Sequence, residues 1–563
     1  MNTTFALSAE FGETSNRQRT TVEIFPRTLT HSSDLAIEHL CEGRVIIIGD
    51  AFENHSSNVG KDFHQEDSTE VLRRISTSRW GRFVAIAYNQ KKDEIAIYRD
   101  PSGMVPCYYS RNNRRVSIAT DARAILNDLR RTAPIDWTSV ANCLLAPDRR
   151  RRETCLHGIS EILPGEVAII SREGVHHDQL WSPDDHVGKR LNIDFEEAVT
   201  ILESTLSRTI GTWCQRYPQP LISISGGFDS SAIAALAARN GPIGLLVFFA
   251  DSPHADERRY AECVAKHLGY DLHQSFCDPS SVIVAQNLSS ARPRPSARSF
   301  TQVFDNASFE QGRVTGASAH FNGGGGDNVF GKLHSAYPLT DRFRCTGLSP
   351  KLVTTALNIC GATGASLPMV LRQAMAALRG RDRAILWPDT TDMLSVQAVE
   401  MRDIQLHPWL NAVKNRYPGQ RQQIRNVARA TASTDHLNIA DSLPTIYPIL
   451  SQPVVELCIS LPTWFWFHGG RDRALARTAM NADLPQYILD RRLKGAFDGL
   501  AYQIVDRNRK RIMTDLQSGA LASQGLIDVR AVHSALEARG TSEEQVIRVL
   551  HLHEVEMWCR HWC

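Results

Sequence analysis

Two glycine-rich strings in this chain carry the residue types that handle phosphate. The first, Ser225-Gly-Gly-Phe-Asp-Ser230, lies between an apolar run, Leu221-Ile-Ser-Ile224, and a helix-prone, Ala-rich stretch over 229–239. Glycines let the backbone approach an anion closely, and a helix start offers N–H groups with no intrahelical acceptor. No Lys follows these glycines, so the string is not the Gly-x-x-x-x-Gly-Lys-Ser/Thr phosphate loop. Asp229 is the informative residue, because a carboxylate aimed at phosphates repels them unless a divalent cation lies between, which points to Mg²⁺. The plain alternative for Asp229 is a helix N-cap. In the second string, Asn322-Gly-Gly-Gly-Gly-Asp327, Asp327 could hold the same ion from the other side. Its plain alternative is a surface loop.

These strings need a scaffold that presents them at strand ends. After about residue 192 the pattern alternates helix and strand: helical spacing over 192–216, strands over 221–224 and 244–250, a helix over 256–268 and a strand over 271–276. That order predicts a parallel sheet with ligands at its carboxyl edge. Residues up to about 185 read instead as a β-rich layer, with short β-branched segments such as Val45-Ile-Ile-Ile48 and Glu94-Ile-Ala-Ile-Tyr98 between turns. Beyond about 335 the chain reads as mostly helical.

Composition narrows the class. The 563 residues carry 63 Lys+Arg against 61 Asp+Glu, a net charge of +2, with 42% hydrophobic and 22% charged residues. This is ordinary globular usage with room for two or more domains, and it gives no global field to hold a nucleic acid. The apolar runs fall far short of the ~20 residues a bilayer requires, so no membrane association is expected. The first ten residues lack a basic start and a long apolar run, which points to the cytoplasm. Twelve scattered cysteines fit reduced thiols. The closing set His551, His553, Cys559, His561 and Cys563 matches no familiar zinc spacing. The run Arg149-Arg-Arg-Arg152 reads as a solvated connection rather than a phosphate grip.

The first string resembles the pyrophosphate loop of ATP-pyrophosphatases, and the second half is similar to the synthetase domain of class B asparagine synthetases. The supporting strings, in family order, are Asp256-Glu257 with Tyr260-Ala261, Tyr447-Pro-Ile-Leu-Ser-Gln-Pro453, Leu461-Pro462, and Leu484-Pro485 through Arg491-Arg-Leu-Lys-Gly495. In the first half, Trp80-Gly-Arg-Phe83, Arg99-Asp-Pro-Ser-Gly103 and Glu161-Ile-Leu-Pro-Gly165 resemble landmarks of the glutaminase domain of that family. The resemblance implies an α/β chain: an Ntn-hydrolase-like β-rich sandwich over 1–185, then an ATP-pyrophosphatase-type domain over 186–563 with a helical C-terminal part. It implies ATP as substrate and Mg²⁺ as cofactor. Ile224, Ser225, Gly226, Gly227, Asp229, Ser230, Phe249, Asn322 and Gly323 would surround ATP and pyrophosphate. Asp229 and Asp327 would ligate the metal and act in catalysis with Lys494, which would stabilise charge on the reacting acyl-adenylate.

Three departures shape the expectation. The family's glutaminase uses a cysteine directly after the initiator Met, whereas Met1 is followed here by Asn2, Thr3 and Thr4, and the first cysteine is Cys41. Gly324 stands where relatives often have an acidic residue, and Ser451 where asparagine synthetases usually have Asp. Without that cysteine, ammonia from glutamine is not expected, and an amine on the substrate itself would close a ring; Gly324 and Ser451 both weigh against aspartate as substrate. The Tyr447–Pro453 string resembles lasso peptide cyclases, which implies a precursor peptide as substrate, with a leader peptidase and a leader-recognition protein as partners. The helical region after 335 would supply a cleft, with His334 and Tyr337 as candidate bases. An ammonia-dependent amidotransferase, a β-lactam synthetase and a non-catalytic scaffold remain as alternatives.

Overall fold

The computed structural model describes residues 5–10, 28–31, 35–40, 44–54, 67–112, 115–251, 256–286, 291–295, 299–434, 443–492, 495, 498–538 and 542–563. Met1, Asn2, Thr3, Thr4, Cys41 and Lys494 lie outside them.

In the first half, strict alternation along apolar strands buries both faces of a sheet. Six antiparallel strands run in the order Val175–Gln179, Glu166–Ile170, Glu94–Arg99, Arg79–Asn89, Val45–Glu53, Ile37–Leu40. Ile46 and Ile48 point to one side and pack with Leu7, Val116 and Ile118 of a second, five-stranded antiparallel sheet. Val45 and Ile47 point to the other side, under Val71, Leu72 and Ile75 of the helix Ser68–Ser78. A strand covered on both faces must be apolar throughout, which is why Val45–Ile48 shows no polar alternation. Helices Ser68–Ser78, Ala122–Leu129 and Trp137–Leu145 add to the β-rich layer expected here.

The arginine run 149–152 is not a solvated connection. Arg150 is buried, 3.6 Å from the buried Glu161, Arg151 pairs with Asp403 at 2.9 Å, and Arg152 donates to Glu166 at 2.6 Å. Buried carboxylates need cations, and the run supplies them.

The second half begins with a long helix, Phe195–Arg216, whose N-cap Asp194 accepts the Glu197 N–H at 2.8 Å. Five parallel strands follow in the order Leu272–Phe276, Gly244–Phe249, Leu221–Ser223, His320–Phe321, Thr445–Ile446. Successive strands build outward from Leu221–Ser223 first on one side and then on the other. The carboxyl end of that strand and of its neighbour His320–Phe321 is therefore a topological switch point. Helices dominate beyond, from Tyr337–Thr346 to Glu543–Trp562.

The halves are joined through buried polar and aromatic contacts. Asp50 of the six-stranded sheet accepts from Arg82 at 2.7 Å and from Tyr217 at 2.5 Å, and pairs with Arg216 at 2.6 Å. Burial alone would raise the Asp50 carboxyl, but Arg82, Tyr217 and Arg216 together hold it below the usual range. Phe52, Trp80 and Trp213 pack around this network. The C-terminal histidines go to separate partners: His553 to Asp515 at 3.0 Å, His551 to Arg548 at 3.1 Å, His561 to Arg123 at 2.5 Å. Every described cysteine is a free thiol. Among the described residues, no helix is long and apolar enough to cross a membrane.

Candidate functional site

Both glycine strings leave the sheet at its switch point and face each other across a cleft of about 360 Å³. The first is folded by its own hydroxyls. Ser230 Oγ accepts the Ser225 N–H at 3.2 Å, Ser225 Oγ accepts the Gly227 N–H at 3.3 Å, and Ser231 Oγ donates to Gly227 O at 2.8 Å. The following helix, Phe228–Ala238, packs on all sides. From 228 to 237, Asp229 alone is not buried. A helix otherwise apolar in its surroundings thus presents one carboxylate to the cleft. Asp229 is not the N-cap; that position is Gly227.

The second string is no free surface loop. Gly326 lies so close to Asp229 that a Cβ there would sit 2.4 Å from the carboxylate carbon. Only the missing side chain allows the two strings to meet. The meeting brings Asp229 and Asp327 onto one position: Arg473 Nη1 lies 2.9 Å from Asp229 Oδ2 and 2.5 Å from Asp327 Oδ1. Burial works against the Arg473 charge, yet Asp229, Asp327 and Asp472 outweigh it and raise the group above its ordinary value. Two hard oxygen donors converging on one cation position fit Mg²⁺, which binds through one or two carboxylates and completes its shell with phosphate and water. Among the described residues, no set of three or more His, Cys, Asp or Glu side chains could hold a metal alone. Substrate oxygens would have to complete the shell.

A basic wall closes the cleft. Lys332 lies 3.4 Å from Asp327 Oδ2, and Arg491 donates to Ser225 O at 3.0 Å while pairing with the buried Glu257. Glu257 also accepts the Gly495 N–H at 2.7 Å. Arg477 ties the wall together, donating to Asp472 O at 2.9 Å, Leu489 O at 2.7 Å and Arg491 O at 3.0 Å. The arrangement offers backbone N–H groups, hydroxyls and cations to an extended polyanion, with two carboxylates placed for a bridging metal.

Of the residues singled out in the sequence, Ser225, Gly227, Asp229, Ser230, Asn322, Gly323 and Asp327 line the cleft. Gly226 is buried with φ +60°, and a Cβ there would collide with Tyr260 at 2.2 Å. Ile224 is buried in the core, and Phe249 lies under Arg258 at 4.1 Å. His334 is exposed in an adjoining depression, and the Tyr337 hydroxyl accepts the Arg383 N–H at 3.1 Å. Ser451 is buried, its hydroxyl accepting from Trp213 at 2.9 Å. Lys332, Arg473 and Arg491 escaped the sequence reading as cleft residues. For Arg473 the trace was the Arg471-Asp-Arg473 triplet after two glycines, with Arg473 itself in a left-handed backbone conformation, φ 52°.

Comparison with known proteins agrees with this layout. The asparagine synthase family profile matches residues 206–560, and a glutamine amidotransferase domain profile matches 59–181. The asparagine synthetase [glutamine-hydrolyzing] 3 of Bacillus subtilis is 25% identical over 196 residues, 32% of this chain and 30% of the relative. The carboxyethyl-arginine β-lactam synthase of Streptomyces clavuligerus is 26% identical over 212 residues, 37% of each chain. The aligned parts thus span about a third of these relatives. Two solved structures also align. One is the allosteric regulatory enzyme of purine biosynthesis, with TM-score 0.16 and 12% identity over 38% of this chain and 51% of that one. The other is glutamine phosphoribosylpyrophosphate amidotransferase from B. subtilis, with TM-score 0.15 and 14% identity over 40% and 54%.

Proposed function

This chain belongs to the asparagine synthase family, and from that premise we propose that it is an ATP-dependent, AMP-forming carbon–nitrogen ligase. The single observation that supports this most is the convergence of Asp229 and Asp327 on one cation position inside a basic cleft at the sheet's switch point. In this reading the Ser225–Ser230 turn, Lys332, Arg473 and Arg491 bind the triphosphate, and Asp229 and Asp327 hold Mg²⁺. The ion, when bound, neutralises charge on the phosphates. A substrate carboxylate attacks the α-phosphate, pyrophosphate leaves along the basic wall, and an amine displaces AMP from the acyl group. Lys494 stabilises the anionic adduct. The chain's largest contribution is to hold amine and acyl group together and to keep water from the intermediate.

We further propose that carboxylate and amine belong to one peptide, so that the product is a macrolactam and the chain a lasso peptide cyclase. The Tyr447–Pro453 string supports this choice, and Gly324 and Ser451 weigh against aspartate as substrate. Its partners would be a precursor peptide, a leader peptidase and a leader-recognition protein, and its place the cytoplasm. Similarity to a β-lactam synthase favours a second reading, closure of a small ring on a small amino acid. Incubation with ATP and candidate precursors, followed by mass spectrometry, separates the two. A peptide product lighter by one water, with one AMP per ring, supports the cyclase. Turnover of small amino acids alone supports the second reading. Background pyrophosphate release with every acceptor supports a scaffold.

A further inference from the structure

Behind the phosphate cleft lies a second cavity of about 500 Å³. The two share Asn322, Gly324, Gly325 and Asn328, so a single turn of backbone separates them. At Gly324 a Cβ would come within 3.0 Å of the Tyr447 ring, and the bare glycine keeps that partition thin. Its wall is shared between Phe248 of the strand Gly244–Phe249, Thr301, Phe304 and Asp305 of the helix Thr301–Thr315, and residues after 335 such as Arg429 and Tyr447.

Its chemistry is specific. Phe248 and Phe304 meet edge to face at 5.0 Å, and Tyr447 adds a third ring. Four ionisable groups besides Tyr447 line the walls. Asp148 and Arg429 pair with each other at 2.5 Å and cancel. His320 is pushed down by burial to about 4, stays neutral, and its ring bonds Ser223 at 2.7 Å. Asp305 is left. It receives a hydrogen bond from the uncharged Thr301 and forms no ion pair with a described Lys, Arg or His. Burial raises its carboxyl to about 7, a cost that a bound cation would relieve.

A carboxylate beside aromatic rings is the combination that recognises an alkylammonium, through Coulomb attraction and cation–π contact in a partly dry site. We propose that this cavity binds the primary ammonium of the acyl-accepting substrate, with Asp305 as its counter-ion, and presents the amine to the acyl group in the adjoining cleft. The role as acyl acceptor rests on the ligase reading above, while the ammonium site itself does not.

The test uses the full chain and two probes of matched shape, n-butylammonium and 1-butanol, with affinities measured by ligand-observed NMR for the wild type and Asp305→Asn. At pH 8 the wild type should bind the ammonium at least about tenfold more tightly than the alcohol, and Asp305→Asn should erase that preference. In the wild type the preference should fall between pH 8 and 6 as Asp305 takes up a proton, a readout that stands even if the variant fails to fold. Equal affinity for both probes in the wild type, or a preference that survives Asp305→Asn, overturns the proposal. ATP binding measured alongside separates the two ideas: ammonium selectivity without ATP binding upholds the pocket and rejects the ligase reading.

Discussion

Two aspartates stand in Ser/Gly turns at strand ends, one in each half, and they differ in what their surroundings leave unused. Asp100 follows the strand Glu94–Arg99, is fully buried, and accepts the N–H groups of Phe83 at 3.0 Å and Ser102 at 2.8 Å. Its neighbour Arg99 is spent on Val105 O at 2.8 Å, Gly103 O at 2.6 Å, Ile162 O at 2.9 Å and Glu161 at 2.8 Å. Asp229 follows the strand Leu221–Ser223 and faces a cleft, held by a buried arginine that it shares with Asp327. The first turn uses its polar groups to fix the chain. The second aims them where a ligand would lie. Resemblance to family landmarks does not separate the two, but the destination of the hydrogen bonds does.

The comparison is broken most directly by Asp229→Ala. Turnover should fall by about 10²-fold or more while the thermal transition stays near that of the wild type, since this side chain faces the cleft rather than the core. Near-normal turnover would deny the second turn its role. Lys494→Ala is expected to lower kcat by about 10²-fold with little change in ATP affinity. Equal losses of both would make the lysine a binding group only.

Gly326→Ala sharpens the contrast, because the added methyl would press on the Asp229 carboxylate. It should cost ~1–3 kcal/mol of stability and about tenfold in turnover, read by denaturant titration and steady-state rates. Asp100→Asn should leave turnover per folded molecule unchanged and alter only stability. The folded Asp100 carboxyl, near 6, lies above its ordinary value of 3.8, chiefly through burial. The folded chain therefore holds this proton more tightly, so Asp100 favours folding below pH 3.8 and loses that contribution as pH rises to 6. The wild type should thus weaken relative to the variant across that window, and parallel stability profiles would contradict the burial argument.

The parallel sheet and both glycine strings were legible because βαβ periodicity and turn chemistry are local. The packing of Val45–Ile48 on both faces was partly legible from its unbroken apolar run. What the sequence hid was long-range. Arg473 reaches Asp229 across 244 positions, and Arg149–Arg152 look like a charged loop until Glu161, Glu166 and Asp403 are brought to them by the fold. Asp305 gave no signal at all, since its meaning depends on Phe248 and Tyr447 from other elements. The close approach of Gly226 to Tyr260 and the stacking of Arg258 over the Phe249 ring were equally hidden, because each joins residues from separate elements.

The central claim is that ATP activates a carboxylate through its α-phosphate. A substrate carrying ¹⁸O in the reacting carboxyl group tests it most directly, with the nucleotide products resolved by mass spectrometry. One labelled oxygen in AMP, together with unlabelled pyrophosphate, is the predicted result. Formation of ADP, or label in inorganic phosphate, would contradict the account.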